Sequence, residues 1–289
     1  MTKVGVSTHL YHEQRLQQVH LAEIASHGFE FVEVFATRTH FDYHDPRAVE
    51  SLASWLAASK LALRSVHAPI TDAFANGKAQ HMFSIAARDA NARKTAVREI
   101  AIALNTARAI PFEFLVVHVG VPDTAHPAPD DNHREAAIKS LEEILALAGP
   151  LRVRVALEVM GNDLSSAAEL VDLIDRNFED AELGICMDVG HAHLLGDAAE
   201  AIETASEYLW TTHIHDNGGR SDDHLVPFQG TLDWGSTMMA FEKIGYDGVL
   251  MYEVRDAGGT QAVLARAVAA RQRLERLATE STRLFPDSF

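Results

Sequence analysis

Apolar positions along the chain fall into eight short, nearly unbroken runs separated by longer stretches with helical periodicity. Runs such as LVVHV, RVALEV and LGICMDV are apolar at almost every position, the pattern of parallel strands buried on both faces. This places strands over 3–8, 29–35, 61–67, 112–118, 153–158, 182–188, 210–215 and 248–253. Helices are expected over 13–26, 47–59, 78–109, 133–147, 165–176, 198–206, 236–244 and 260–279. Eight strand–helix units in succession predict an α/β chain closed into a (β/α)8 TIM barrel, with an open doubly wound sheet as the alternative. No linker or low-complexity tract divides the chain, so residues 1–289 are expected to form one domain, with 280–289 as a C-terminal tail. The tail's Phe285 and Phe289 are expected to dock on the barrel or on a second subunit of a homo-oligomer.

The candidate chemistry sits at the strand ends. His67, His118, Glu158, Asp188, His213 and Glu253 each close an apolar run. In a barrel those ends converge on the C-terminal mouth, where catalytic residues lie. Strand propensity does not favour Asp or Glu there, and an unpaired buried charge costs about several kcal/mol. A divalent cation would compensate it. His191 follows Asp188 within one turn, and the long polar loop 218–234 carries Asp222 and His224, two apart and so aimed the same way in extended backbone. Nine donors exceed the roughly four that one zinc takes, or about six for an octahedral ion. Either several metal ions bind, or some of these residues act as acids, bases or substrate contacts.

His9, Arg38, His215 and Arg220 are expected at the mouth as substrate-binding residues, the two arginines as forks for a phosphate or carboxylate. Trp234 and Phe228 are read as a wall for the apolar face of a sugar, or else as barrel packing. Plainer readings stand beside these. His67 and His118 could be core histidines, Glu158 could pair with Arg154 and Glu253 with Arg255, and Asp222 and His224 could be solvated loop charges. Cys186, mid-strand and beside no basic group, reads as core.

Composition narrows the partners. The formal net charge is −16, whereas a nucleic-acid groove needs a basic surface, so nucleic acid is not expected as a partner. Sixteen histidines are unusual in such a chain. The single cysteine excludes an internal disulfide and fits a reducing, cytoplasmic setting. No apolar run approaches the roughly 20 residues of a membrane span. The N-terminus enters a strand pattern without a signal-peptide layout.

The ordered fragments HAP, HVG, LEVMGN, MDVGH, HIHDN, DDHLVPFQGTLDW and YEVRD resemble the xylose isomerase-like TIM barrels, which include sugar phosphate isomerases and epimerases and endonuclease IV. In the ketohexose epimerases of that superfamily one divalent metal is held by Glu, Asp, His and Glu. The resemblance implies Glu158, Asp188, His213 and Glu253 for that set, with Glu158 and Glu253 as the catalytic pair that moves a proton on opposite faces of the sugar. In endonuclease IV the same four positions join five more around three zincs, and the resemblance implies His67, His118, His191, Asp222 and His224 for these. His67, His118 and Glu158 would serve one metal, the core four a second, and His191, Asp222 and His224 a third, so the resemblance implies one to three ions of manganese, zinc, cobalt or iron. Two departures stand out. His215 replaces the usual Asn of endonuclease IV, and Gln229-Gly230 replaces its Glu-Gly.

Two chemistries follow. One is a metal-dependent isomerase or epimerase of a sugar, sugar phosphate or polyol, in which the metal stabilises an enediolate. The other is an endonuclease IV-like multinuclear zinc phosphodiesterase, favoured by the five extra donors and disfavoured by the acidic charge. A non-catalytic binding barrel is the remaining reading.

Overall fold

The structure, a computed structural model, describes residues 3–75 and 78–284. Eight parallel strands form a closed barrel: β1 (Lys3–Ser7), β2 (Phe31–Phe35), β3 (Ala62–His67), β4 (Phe114–Val117), β5 (Arg154–Glu158), β6 (Leu183–Asp188), β7 (Leu209–Ile214) and β8 (Val249–Tyr252). Each pairs with its sequence neighbours, and β8 closes onto β1 with Lys3 opposite Val249 and Val6 opposite Tyr252. That last ladder overturns the open-sheet alternative, because it leaves the barrel no free edge among the described residues.

Strand residues alternate between two environments. Leu115, Val117, Val155, Leu157, Ile185 and Met187 join the main core. Val116, Ala156 and Cys186 form a small apolar cluster of their own. Glu158 and Asp188 come two residues after Ala156 and Cys186, so alternation aims them the same way, above this apolar plug. At the N-terminal end of the strands Trp210 packs on Gly184, where a β-carbon would sit 2.2 Å from the indole. The Arg154 guanidinium lies 3.6 Å from that ring centroid and pairs with Glu113 and Glu182.

The helices α1 (Gln18–Ser26), α2 (Pro46–Ser59), α3 (Ala90–Leu104), α4 (Arg134–Ala148), α5 (Ala167–Asn177), α6 (Val189–Leu195), α7 (Ala198–Thr204), α8 (Trp234–Lys243) and α9 (Thr260–Leu284) connect the strands or follow the last of them. Asp45, Asp89, Ser166, Asp197 and Asp233 start five of them by accepting backbone N–H groups. No described helix is long and apolar enough to cross a membrane.

Several boundaries differ from expectation. The helix expected over 78–109 begins only at Ala90, where Asp89 accepts from Asn91 and Ala92. Lys78–Ala79 instead pairs antiparallel with Phe74–Ala75. Residues 80–89 run as a loop tied by His133 N–H to the Ala86 carbonyl and by Arg88 N–H to the Asp130 carbonyl. Its buried Ile85, Ala86 and Ala87 imitate a helical apolar run. The helix expected from residue 13 starts at Gln18, after a 3-10 turn over Thr8–Tyr11. The seven-residue α6 was too short to show a period. Helix α9 continues through Leu284 into the expected tail, and Phe285 and Phe289 lie outside the described residues.

Because the indole of Trp210 rests on Gly184, Gly184→Ala is expected to cost about 1–3 kcal/mol. A urea titration should show a lower midpoint with an unchanged slope.

Candidate metal centre

Three groups of donors share one end of the barrel. In the central group His213 Nδ1 lies 3.2 Å from Glu158 Oε1, 3.4 Å from Glu253 Oε2 and 3.8 Å from Asp188 Oδ2. All four side chains are buried. In the second group His67 Nε2 and His118 Nε2 each lie 3.0 Å from Glu158 Oε2. Glu158 thus turns one oxygen to each group. In the third, Asp222 Oδ2 lies 3.2 Å from His191 Nε2 and 3.0 Å from His224 Nε2, and His215 Nε2, 4.0 Å from Asp222 Oδ1, completes the group. Within each group the donor atoms are no more than 4.8 Å apart.

Local folding explains these positions. His67, Glu158 and Asp188 end their strands, and His118 and Glu253 follow theirs by one residue. Asp188 Oδ1 also accepts the His191 N–H at 2.7 Å, capping α6, so one carboxylate places both residues of the Asp-Val-Gly-His run. Asp222 and His224 are delivered by the loop after β7, and that loop is organised by buried Asp216. Its carboxylate accepts from the backbone of Asn217, Phe228 and Leu232 and from Trp234 Nε1.

Backbone carbonyls select the nitrogen that most of these histidines present. His67 Nδ1 faces the Ala68 carbonyl at 2.9 Å, His191 Nδ1 the Val159 carbonyl at 3.1 Å, and His224 Nδ1 the Glu253 carbonyl at 2.8 Å. With Nδ1–H donated there, the Nε2 lone pair points at the carboxylates, the usual tautomer selection for a metal-ligating histidine.

The donors bias one another's protonation in the metal-free protein. Burial alone would lower His67, but contact with Glu158 outweighs it and lifts the imidazole to about 9. Burial likewise opposes charge on His224, but Asp222 outweighs it and lifts that imidazole to about 9. His191 and His213 are held well above the ordinary range despite burial, by Asp188 and Asp222 for His191 and by Glu253 and Glu33 among others for His213. Burial raises Glu158, yet His118 and His213 hold it well below the usual carboxylate range.

Above the donors lies a cavity of about 190 Å³. Its wall includes His9, Phe35, Ile70, Phe74, Met160 and Leu194, and among the described residues it contains no lysine or arginine. His9 is held neutral by burial and lies with its ring 4.7 Å from that of His224. Its Nδ1 is buried without a hydrogen-bond partner.

Several expected residues lie elsewhere. Arg38 is half exposed and 3.7 Å from Asp42, Arg220 is exposed, and neither borders the cavity. Trp234 is buried packing whose indole N–H holds Asp216 at 2.9 Å, and Phe228 lies under Arg273 at 3.6 Å. His215, expected to meet substrate, does not border the cavity; it donates toward Asp188 at 2.9 Å and stacks on His224 at 4.1 Å. The arginine pairings fail as well, since Arg154 is engaged at the opposite end and Arg255 is exposed. Cys186 is core as expected, but it does have a basic neighbour, His213, while burial pushes its thiol up. The sequence reading missed Glu33, buried in β2 beside His213. Its signal was a lone acid inside the apolar run FVEVF.

A strand-built mouth of this kind defines a class, and the comparisons place the chain within it. The profile of the Xylose isomerase-like TIM barrel family matches residues 21–279, and the chain belongs to that family. It is 28% identical over 276 residues to an uncharacterised protein of Methanocaldococcus jannaschii, covering 91% of this chain and 88% of that one. It is 21% identical over 261 residues to the inosose isomerase of Bacillus velezensis, covering 86% of each. Among solved structures it resembles a D-tagatose 3-epimerase-like protein with a TM-score of 0.76 and 24% identity, over 98% of this chain and 99% of that one.

The raised imidazoles carry a pH signature. A histidine whose folded pKa exceeds its unfolded value near 6.5 stabilises the fold below that value and loses this contribution as pH rises through the folded pKa. For His67 and His224 the window runs from 6.5 to about 9. Chelator-treated protein should therefore melt at progressively lower temperature across that window, and His67→Gln should flatten the profile.

Proposed function

We propose that the protein is a metal-dependent isomerase or epimerase acting on an unphosphorylated sugar or a related polyol, with Glu158 and Glu253 as the proton-transfer pair. The observation that carries this reading is a pair of buried glutamates meeting Asp188 and His213 beneath a small cavity whose wall, among the described residues, holds no lysine or arginine. The donor set suits a divalent cation. Carboxylate oxygens and imidazole nitrogens converge within 4.8 Å, and a further carboxylate oxygen, Asp222 Oδ1, is buried without a hydrogen-bond partner. When bound, the cation would polarise a substrate carbonyl and stabilise the enediolate formed on proton loss.

The chain's own residues do the rest. Glu158 and Glu253 both border the cavity, so each can exchange a proton with a substrate carbon above the donors. Phe35, Ile70, Phe74, Met160 and Leu194 exclude water and offer an apolar surface to the C–H face of a sugar. His9, neutral and bordering the cavity, can hydrogen-bond a hydroxyl. A phosphate would find no guanidinium or ammonium among the described residues of this wall, so the substrate is read as unphosphorylated. The inosose isomerase relative and the epimerase-like structural neighbour support this chemistry.

A second reading, a multinuclear zinc phosphodiesterase, is favoured by the His67–His118–Glu158 and His191–Asp222–His224 groups. It is opposed by the net charge of −16.

Incubation of a panel of ketoses and inososes with metal-loaded protein in deuterium oxide should place deuterium on the carbon next to the carbonyl. Glu158→Gln and Glu253→Gln should each slow exchange by about 10²–10⁴-fold. Absence of exchange across the panel, together with cleavage of an abasic-site duplex by protein carrying three zincs, would overturn the isomerase reading in favour of the second.

A further inference from the structure

We infer that Glu33 is a positioning residue of this centre, fixing the His213 ring so that Nδ1, and not Nε2, is the nitrogen offered to the cation. This rests on the metal part of the proposed function and not on the isomerase chemistry.

Glu33 lies in the middle of β2, level with Ser65 of β3 and Ser7 of β1. It precedes Phe35, a cavity residue, by two positions, so its side chain sits one layer deeper, about 6–7 Å along the strand. It is fully buried and takes no part in the cavity wall, which removes substrate contact as its role. Both carboxylate oxygens lie 3.1 Å from His213 Nε2, and Ser65 Oγ donates to Oε2 at 2.7 Å. With Nε2–H committed to Glu33, the other ring nitrogen faces Glu158, Asp188 and Glu253.

The contrast with the other donors is informative. His67, His191 and His224 are anchored through Nδ1 by neutral carbonyls and present Nε2. His213 is turned the other way and is anchored by a charge. A carboxylate holds an N–H about twice as strongly as a neutral acceptor, and such a partner both orients the ring and makes its far nitrogen a better ligand. Ser65 restrains the carboxylate in turn. A simple core ion pair would need none of this directionality.

The experiment compares Glu33→Gln, which keeps an acceptor oxygen and removes the charge, with the unaltered protein. Zinc or manganese affinity is measured by competition with a chromophoric chelator, with folding checked by circular dichroism. The variant should bind about 10–100-fold more weakly. A zinc-loaded crystal of the unaltered protein should show Nδ1 of His213 about 2.0–2.1 Å from the ion, with Nε2 still on Glu33. Affinity within about threefold of the unaltered protein, or coordination through Nε2, overturns the assignment. Should the variant fail to fold, the coordinating nitrogen in the unaltered protein decides alone. If the unaltered protein binds no cation at Glu158, Asp188, His213 and Glu253, the metal reading itself fails. If it binds one and the variant binds it equally, only the role of Glu33 fails.

Discussion

Glu33, Glu158, Asp188, Asp222 and Glu253 gather at one end of the barrel, and among the described residues the positive groups paired with them are imidazoles. Negative charge held this deep must be balanced where it stands. In the metal-free protein protonated histidines do so, which is why His67 and His224 are raised to about 9. A cation would do the same by displacing those protons. The remaining arrangements of the mouth serve this balance: carbonyls that fix ring orientation, the Asp188 cap on α6, and the Asp216 hub beneath the long loop.

Much of this was legible in the chain. A continuous apolar run ending in one acid or imidazole can only be a buried strand with a polar terminus, so β3, β5 and β6 could be placed together with His67, Glu158 and Asp188. Closure of β8 onto β1 was likewise implied by eight uninterrupted units. Other features depend on contacts between distant segments. Asp216 looked like one more loop acid, yet its four partners come from as far along as Trp234. Residues 80–89 looked helical because Ile85, Ala86 and Ala87 are apolar and buried, but their backbone is tied to Asp130, His133 and Ser140 and not into a helix of its own. The two arginines expected to grip an anion were judged by residue type, and type does not fix direction. Arg38 turns to Asp42 instead.

Glu33 illustrates the remaining gap. Period-two alternation aims it into the barrel, but nothing local says which side chain it meets from the far wall. That partner, His213, is 180 residues away. The family resemblance supplied ligand positions and not the layer beneath them, and function follows the site more closely than the fold. In that layer, and in the unusual His215 within the third group, this chain has features that its strand-end motifs alone do not specify.

The packed floor has a consequence for traffic. Val116, Ala156 and Cys186 fill the interior under the donors, and Trp210 packs on Gly184 beneath Arg154 at the far end. The donors therefore communicate with solvent through the cavity above them. A cation and a substrate, bound as proposed, would both enter through that cavity, so the cation would have to take its seat before anything larger fills the vestibule. Order of entry would then follow from the plug of the cylinder and not from its rim.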